Sequence, residues 1–194
     1  MNLIQRAKNI LTTPKTEWDV VATESATMGS LLTSYVIPMA LIPTAATFLR
    51  GLIWTSIFVG SRYYIYAAII SFVSAIVSYI VTTYVVDLLA TNFKSEKDTN
   101  RSAQLVAYSS TASWVAGILT IIPVLGWLAA IAGWGYSVYL MYLGMGPIKK
   151  TPEDQRIVYV IIIIVVMIVV GLIIGGILGA IFFAGTISGA FMGR

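Results

Sequence analysis

The chain has 194 residues, 58% of them hydrophobic and only 10% charged, with a formal net charge of +4 and a mean hydropathy of +0.89. A soluble domain carries about 25% charged residues, so a deficit this large excludes a water-facing surface and sets most of the chain against lipid. The absence of Cys and His excludes disulfides, thiolate metal sites, haem ligation by His and His-based triads. The basic residues lie in short loops rather than one cluster, which suits anionic membrane lipid and not nucleic acid.

Residues 1–29 are amphipathic and do not span. Leu3, Ile4, Ala7, Ile10 and Leu11 recur at helical spacing, with Arg6 and Lys8 off that stripe. Thr13-Pro14 punctuates, Pro14 suits a first helical turn, and Thr16 to Asp19 fits a capping box. The expectation is two short interfacial helices, with Trp18 anchored in lipid. The plainer alternative is a pair of helices packed on the protein itself. No continuous apolar region with a small-residue cleavage site opens the chain, so Met1 to Lys15 does not read as a signal peptide.

Residues 30–194 read as a transmembrane domain of five helices, at about 30–49, 63–93, 103–122, 125–144 and 157–184. Pro38 and Pro43 predict a kink or break in the first. Gly51 to Gly60 is apolar but too short to cross, so it reads as an interfacial or re-entrant loop. Lys94 to Arg101 and Gly146 to Arg156 read as polar loops, and Pro123-Val124 as an uncharged turn between antiparallel neighbours. In the last span Gly171, Gly175 and Gly179 form overlapping GxxxG motifs, a helix-packing signal. Packing within one molecule and a homo-oligomer face both answer to it.

With five spans, Arg6, Lys8, Lys15, Lys94, Lys97, Arg101, Lys149, Lys150 and Arg156 share one side, and only Arg50, Arg62 and Arg194 the other. The positive-inside rule then makes the N-terminus cytoplasmic and the C-terminus external. The fold class is therefore all-α: a polytopic membrane protein with five transmembrane helices and N-terminal interfacial amphipathic helices.

Asp87 is the single acid attached to an apolar span, and an ionisable group there is a candidate site. A hairpin folding near Asp98 sets Asp87 level with Ser109, so Tyr108, Ser109 and Thr111 form with it a candidate polar pocket. Ser113, Trp114, Tyr136, Ser137 and Tyr139 could extend it. Two readings stay open: a tie between the second and third spans, or a pocket open to the cytoplasm. No catalytic constellation is present, and neither a metal nor another cofactor is called for.

The segments TPKTEW, DLLATNFKSEKD, QLVAYSSTASWVAGI and IPVLGW, with five spans in this order, resemble bacterial members of the YIP1 family over nearly the whole chain. The resemblance implies a five-span protein of the bacterial inner membrane with its N-terminus inside. The eukaryotic branch implies trafficking proteins that associate with one another and with small prenylated GTPases. That branch carries an Asp-Leu-x-Gly-Pro motif; Asp87-Leu88 matches it, while Ala90 and Thr91 stand where Gly and Pro would be. The leading expectation is a non-enzymatic protein that organises membrane or cytoplasmic protein partners, or lipid, at the cytoplasmic face. The alternative is a small ion or solute transporter using a pocket at Asp87.

Overall fold

A computed structural model describes residues 2–54 and 56–192, with the backbone alone over 56–63, 174, 177–179 and 181–192. Of Gly179 and Arg62 only the backbone is described, and Arg194 lies outside the described residues. The elements are helical throughout the described chain, with no strand. Among the described residues, four helices are long and apolar enough to cross a membrane: Met28–Trp54, Tyr64–Phe93, Pro123–Lys149 and Glu153–Ile173.

Helices α1 (Leu3–Thr12) and α2 (Pro14–Thr23) form a hairpin. Asn2 caps α1 by accepting from the Gln5 amide at 2.8 Å. Pro14 opens α2 at a position whose amide needs no partner. Thr16 lies inside α2 and donates to the Thr13 carbonyl at 3.0 Å, so the capping box predicted there is absent. The hairpin packs on the bundle. Ile10, Trp18 and Val21 are fully buried, and Trp18 meets Tyr108 edge-on at 6.4 Å. Trp18 is thus a core residue and not the lipid anchor expected of it. A Cβ on Gly144 would lie 2.8 Å from the Trp18 indole, so only glycine leaves room for that ring.

The first span is one continuous rod built from α3 (Met28–Leu31), a π-helical turn (Leu32–Val36) and α4 (Ile37–Trp54). The π turn contains Ser34, the residue four before Pro38, whose carbonyl the proline ring would crowd in a regular helix. Pro43 is carried within α4. Trp54 ends α4 and Ser56 begins α5 (Ser56–Leu89), so the stretch predicted as a re-entrant loop is the helical top of a hairpin. A short 3-10 turn, Ala90–Phe93, extends α5.

The stretch predicted as the third span is broken. It comprises α6 (Thr99–Ser109), α7 (Thr111–Ala116) and a 3-10 turn, Gly117–Ile121. The break has a local cause: Ser110 and Thr111 turn their hydroxyls back onto the Val106 and Tyr108 carbonyls at 2.8 and 2.7 Å. Every residue from 102 to 109 is buried, so this segment is the inner post of the bundle. Gly117 lets its 3-10 end close on Pro43, which a Cβ would approach to 2.6 Å. Helix α8 (Pro123–Lys149) then returns antiparallel, and α9 (Glu153–Met192) completes the chain. Helix α9 leaves the bundle beyond Met167: Ile168, Val169, Leu172 and Ile173 are exposed, and a Cβ on Gly171 or Gly175 would meet nothing. At Gly171 and Gly175 the GxxxG stripe therefore packs against no other described residue.

Candidate functional site

Two helix ends build the site by the same device. The α5 rod stops at Lys94 and α8 stops at Lys150, both in the left-handed conformation with φ of 52° and 51°. Each turn frees the chain to reverse, and the two loops meet. The Glu96 amide donates to the Lys149 carbonyl at 2.8 Å. The buried hydroxyls of Ser95 and Thr151 bond at 2.8 Å, and the exposed Lys150 pairs with Glu96 at 2.8 Å. Beneath them, Phe93 stacks on Tyr159 at 4.5 Å, and the Tyr159 hydroxyl donates to the Val86 carbonyl.

At the centre of this clasp lies an ion pair. Asp87 is 6% exposed and Lys149 fully buried. Lys149 Nζ stands 3.5 Å from Asp87 Oδ1, 2.8 Å from Ser102 Oγ and 3.3 Å from the Asp98 carbonyl. Thr99 donates to Asp87 Oδ2 at 2.8 Å. Ser102 accepts from Lys149 and lies 3.2 Å from Asp87 Oδ1 and 3.0 Å from the Asp98 carbonyl. All three ammonium protons have acceptors and both carboxylate oxygens have donors. A buried pair satisfied in this way is a tie between α5, α6 and α8.

Asp87 therefore meets Thr99, Ser102 and Lys149, and not Tyr108, Ser109 or Thr111. The chain reverses at Lys94, earlier than the predicted fold at Asp98, and Asp98 instead caps α6 through the Asn100 and Arg101 amides. An earlier reversal brings an earlier part of the returning helix level with Asp87, by about two turns. Tyr108 packs edge-on against Tyr35 at 4.8 Å with the Arg6 guanidinium 5.3 Å from its ring centre. Thr111 bonds the Tyr35 hydroxyl at 2.8 Å. Ser109 is buried, and its hydroxyl has no partner among the described residues. It lines a cavity of about 360 Å³ shared with Ser113, Trp114 and Ser137, of which Ser113 and Ser137 bond each other at 2.8 Å. Tyr136 donates to the Leu11 carbonyl at 2.8 Å.

Two functional groups escaped the sequence reading. Lys149 sits at the end of an apolar helix on the side assigned to Asp87, and a lone acid in a span calls for such a counter-ion. Arg6 is 4% exposed and bridges Glu17 at 2.6 Å and Glu24, with Asn9 donating to Glu17 at 3.0 Å. Nothing in the spacing of α1 announces a partner beyond the next turn of chain. Among the described residues no three acids gather to hold a metal ion.

This arrangement of apolar helices defines a multi-pass membrane protein. The Yip1 domain model matches residues 8–175, most of the chain, and the protein belongs to that family. No curated protein and no solved structure shows a significant match.

Proposed function

We propose that this is a non-enzymatic integral membrane protein that docks protein partners on its clasp end, the face formed by residues 94–98, 150–154 and the α1–α2 hairpin. The observation that carries this reading is the sealed Asp87–Lys149 pair. It holds two loops side by side and leaves Lys94, Glu96, Lys97, Lys150, Glu153 and Asp154 exposed around them. A mixed-charge rim on a rigid base suits recognition by charge pattern. The same pair counts against transport through Asp87, because each of its polar atoms is already engaged.

The topology goes with this reading. The segment 99–121 leads from the clasp end to the opposite end, where α8 begins its return, so it serves as a fifth, broken crossing. Its non-regular backbone is sheltered within the bundle, where a membrane tolerates it. The clasp end carries most of the basic residues, which makes it cytoplasmic, in a bacterial inner membrane, with the C-terminus outside. Neighbouring lipid, self-association through α9 and partner proteins all remain within the reading.

A photoreactive residue in place of Lys97, irradiated in native membranes, tests it. The expected result is a discrete protein adduct that disappears in Lys149→Met while membrane insertion is unchanged. The absence of any adduct, or one indifferent to Lys149, would count against the docking face.

A further inference from the structure

The cavity of about 360 Å³ lies apart from the clasp, between α5, the broken α6–α7 post, α8 and α9. Its volume is within the range of pockets that hold small ligands. On this flank it sits deep in the apolar layer. Leu88, Ile157 and Ile161 are exposed between it and the clasp, and Leu128 and Ile131 toward the opposite end. Its α8 wall centres on Ser137, with 12 residues from there to Lys149 and 14 to Pro123, about 18 Å and about 21 Å along the helix. Phospholipid ester groups begin only about 15 Å from the middle of the hydrocarbon, so whatever occupies the cavity is dissolved in the bilayer core.

No charged side chain lines the cavity, but its hydroxyls are unevenly spent. Thr82 and Ser110 donate to the carbonyls of Ser78 and Val106 at 2.6 and 2.8 Å. Ser113 and Ser137, both half-buried, bond each other at 2.8 Å, and the Ser113 amide donates to Ser137 Oγ at 3.1 Å. Whichever hydroxyl donates, the other keeps a proton that has no acceptor among the described residues. Ser78, on the α5 wall, is exposed at the mouth, and its hydroxyl has no partner among the described residues. The cavity thus offers donor protons from two walls. An acyl chain gives them nothing to bond, and a donor left unpaired in hydrocarbon is costly. The aromatic side chains of Tyr79, Trp114 and Trp134 complete much of the lining.

We propose that the cavity binds the ring of a membrane quinone. A quinone dissolves in the bilayer core, carries no charge, and bears a carbonyl oxygen on each of two opposite edges of a flat ring. One carbonyl accepts from the Ser113–Ser137 pair and the other from Ser78, while the ring lies against the aromatic lining. The prenyl tail leaves sideways past Trp134 and Ile168, which are exposed where α9 departs from the bundle. This inference stands on the cavity and does not depend on the clasp.

The test is titration of the purified full chain, in quinone-free lipid nanodiscs, with a ubiquinone of short prenyl tail. Quinones quench indole fluorescence on contact, and Trp114 and Trp134 line the cavity. The expected result is a saturable loss of tryptophan fluorescence that hexadecane, which has the chain but no acceptor, does not reverse. Ser78→Ala removes a hydroxyl that holds nothing among the described residues, so it should leave the fold intact and weaken binding about fivefold, the worth of one hydrogen bond. Ser113→Ala combined with Ser137→Ala should weaken it by a similar factor, and Ser78→Phe, which fills the mouth, should abolish the saturable part. Quenching that never saturates, displacement by hexadecane as readily as by a second quinone, or saturable quenching that none of these substitutions changes would overturn the proposal.

Discussion

Lys149→Met is the sharpest perturbation of the clasp. Methionine keeps the length and apolar stem of lysine and removes only the charge. Asp87 would then stay 6% exposed with Thr99 and Ser102 as its remaining donors. At the observed 3.5 Å, two unit charges attract by about 5 kcal/mol at an effective dielectric constant of about 20. Against this stands the cost of burying both ions, so the net value of the pair is much smaller. Removing one partner is a different matter, because the other charge stays behind: the expected loss is about 3–5 kcal/mol, a large part of a total stability of about 5–15 kcal/mol. Asp87→Leu combined with Lys149→Met should recover most of that loss, since an apolar pair carries no burial penalty. Unfolding in detergent micelles, followed by fluorescence of the five tryptophans, gives the two single values and the double. A Lys149→Met loss below about 1 kcal/mol, or a double variant that costs the sum of the singles, would refute the reasoning.

Arg6→Met should cost about 3 kcal/mol, since it strands the buried Glu17 and withdraws the cation from the Tyr108 ring; it should also expose the α1–α2 turn to proteases, which limited digestion would show. Gly144→Ala places a methyl 2.8 Å from the Trp18 ring and 2.6 Å from Leu105, and should lower stability by about 1–3 kcal/mol in the same unfolding assay. Lys94→Gly relieves a side chain held at φ 52° and should raise stability by about 1 kcal/mol; a loss there would mean that the Lys94 side chain holds the loop.

Much of the fold was legible because apolar runs of about 20 residues have few alternatives. The hairpin between α5 and α6 and the position of Asp87 near its end followed from the same counting. What escaped was set by tertiary contact. Gly146 and Pro147 read as helix breakers, yet α8 continues through them to Lys149, because that side chain is drawn into the Asp87 site. The reversal at Lys94 could not be read, since lysine has no preference for a left-handed turn. That one position displaced the expected neighbours of Asp87 from Tyr108–Thr111 to Thr99 and Ser102. Arg6 and Trp18 looked like surface residues of an amphipathic helix. They are buried because Glu17, Glu24, Tyr108 and the space over Gly144 receive them, and those residues are scattered along the chain. Ser109 was picked out for its hydroxyl, and its surroundings are a cavity rather than the acid it was matched with.

The central claim is that Asp87 is a closed tie within a docking protein and not part of a transport path. Reconstituted vesicles test it most directly. Proton and sodium flux should be the same in vesicles holding the protein, in vesicles holding Asp87→Asn and in empty vesicles. A flux that the protein creates and a folded Asp87→Asn variant abolishes would contradict the account.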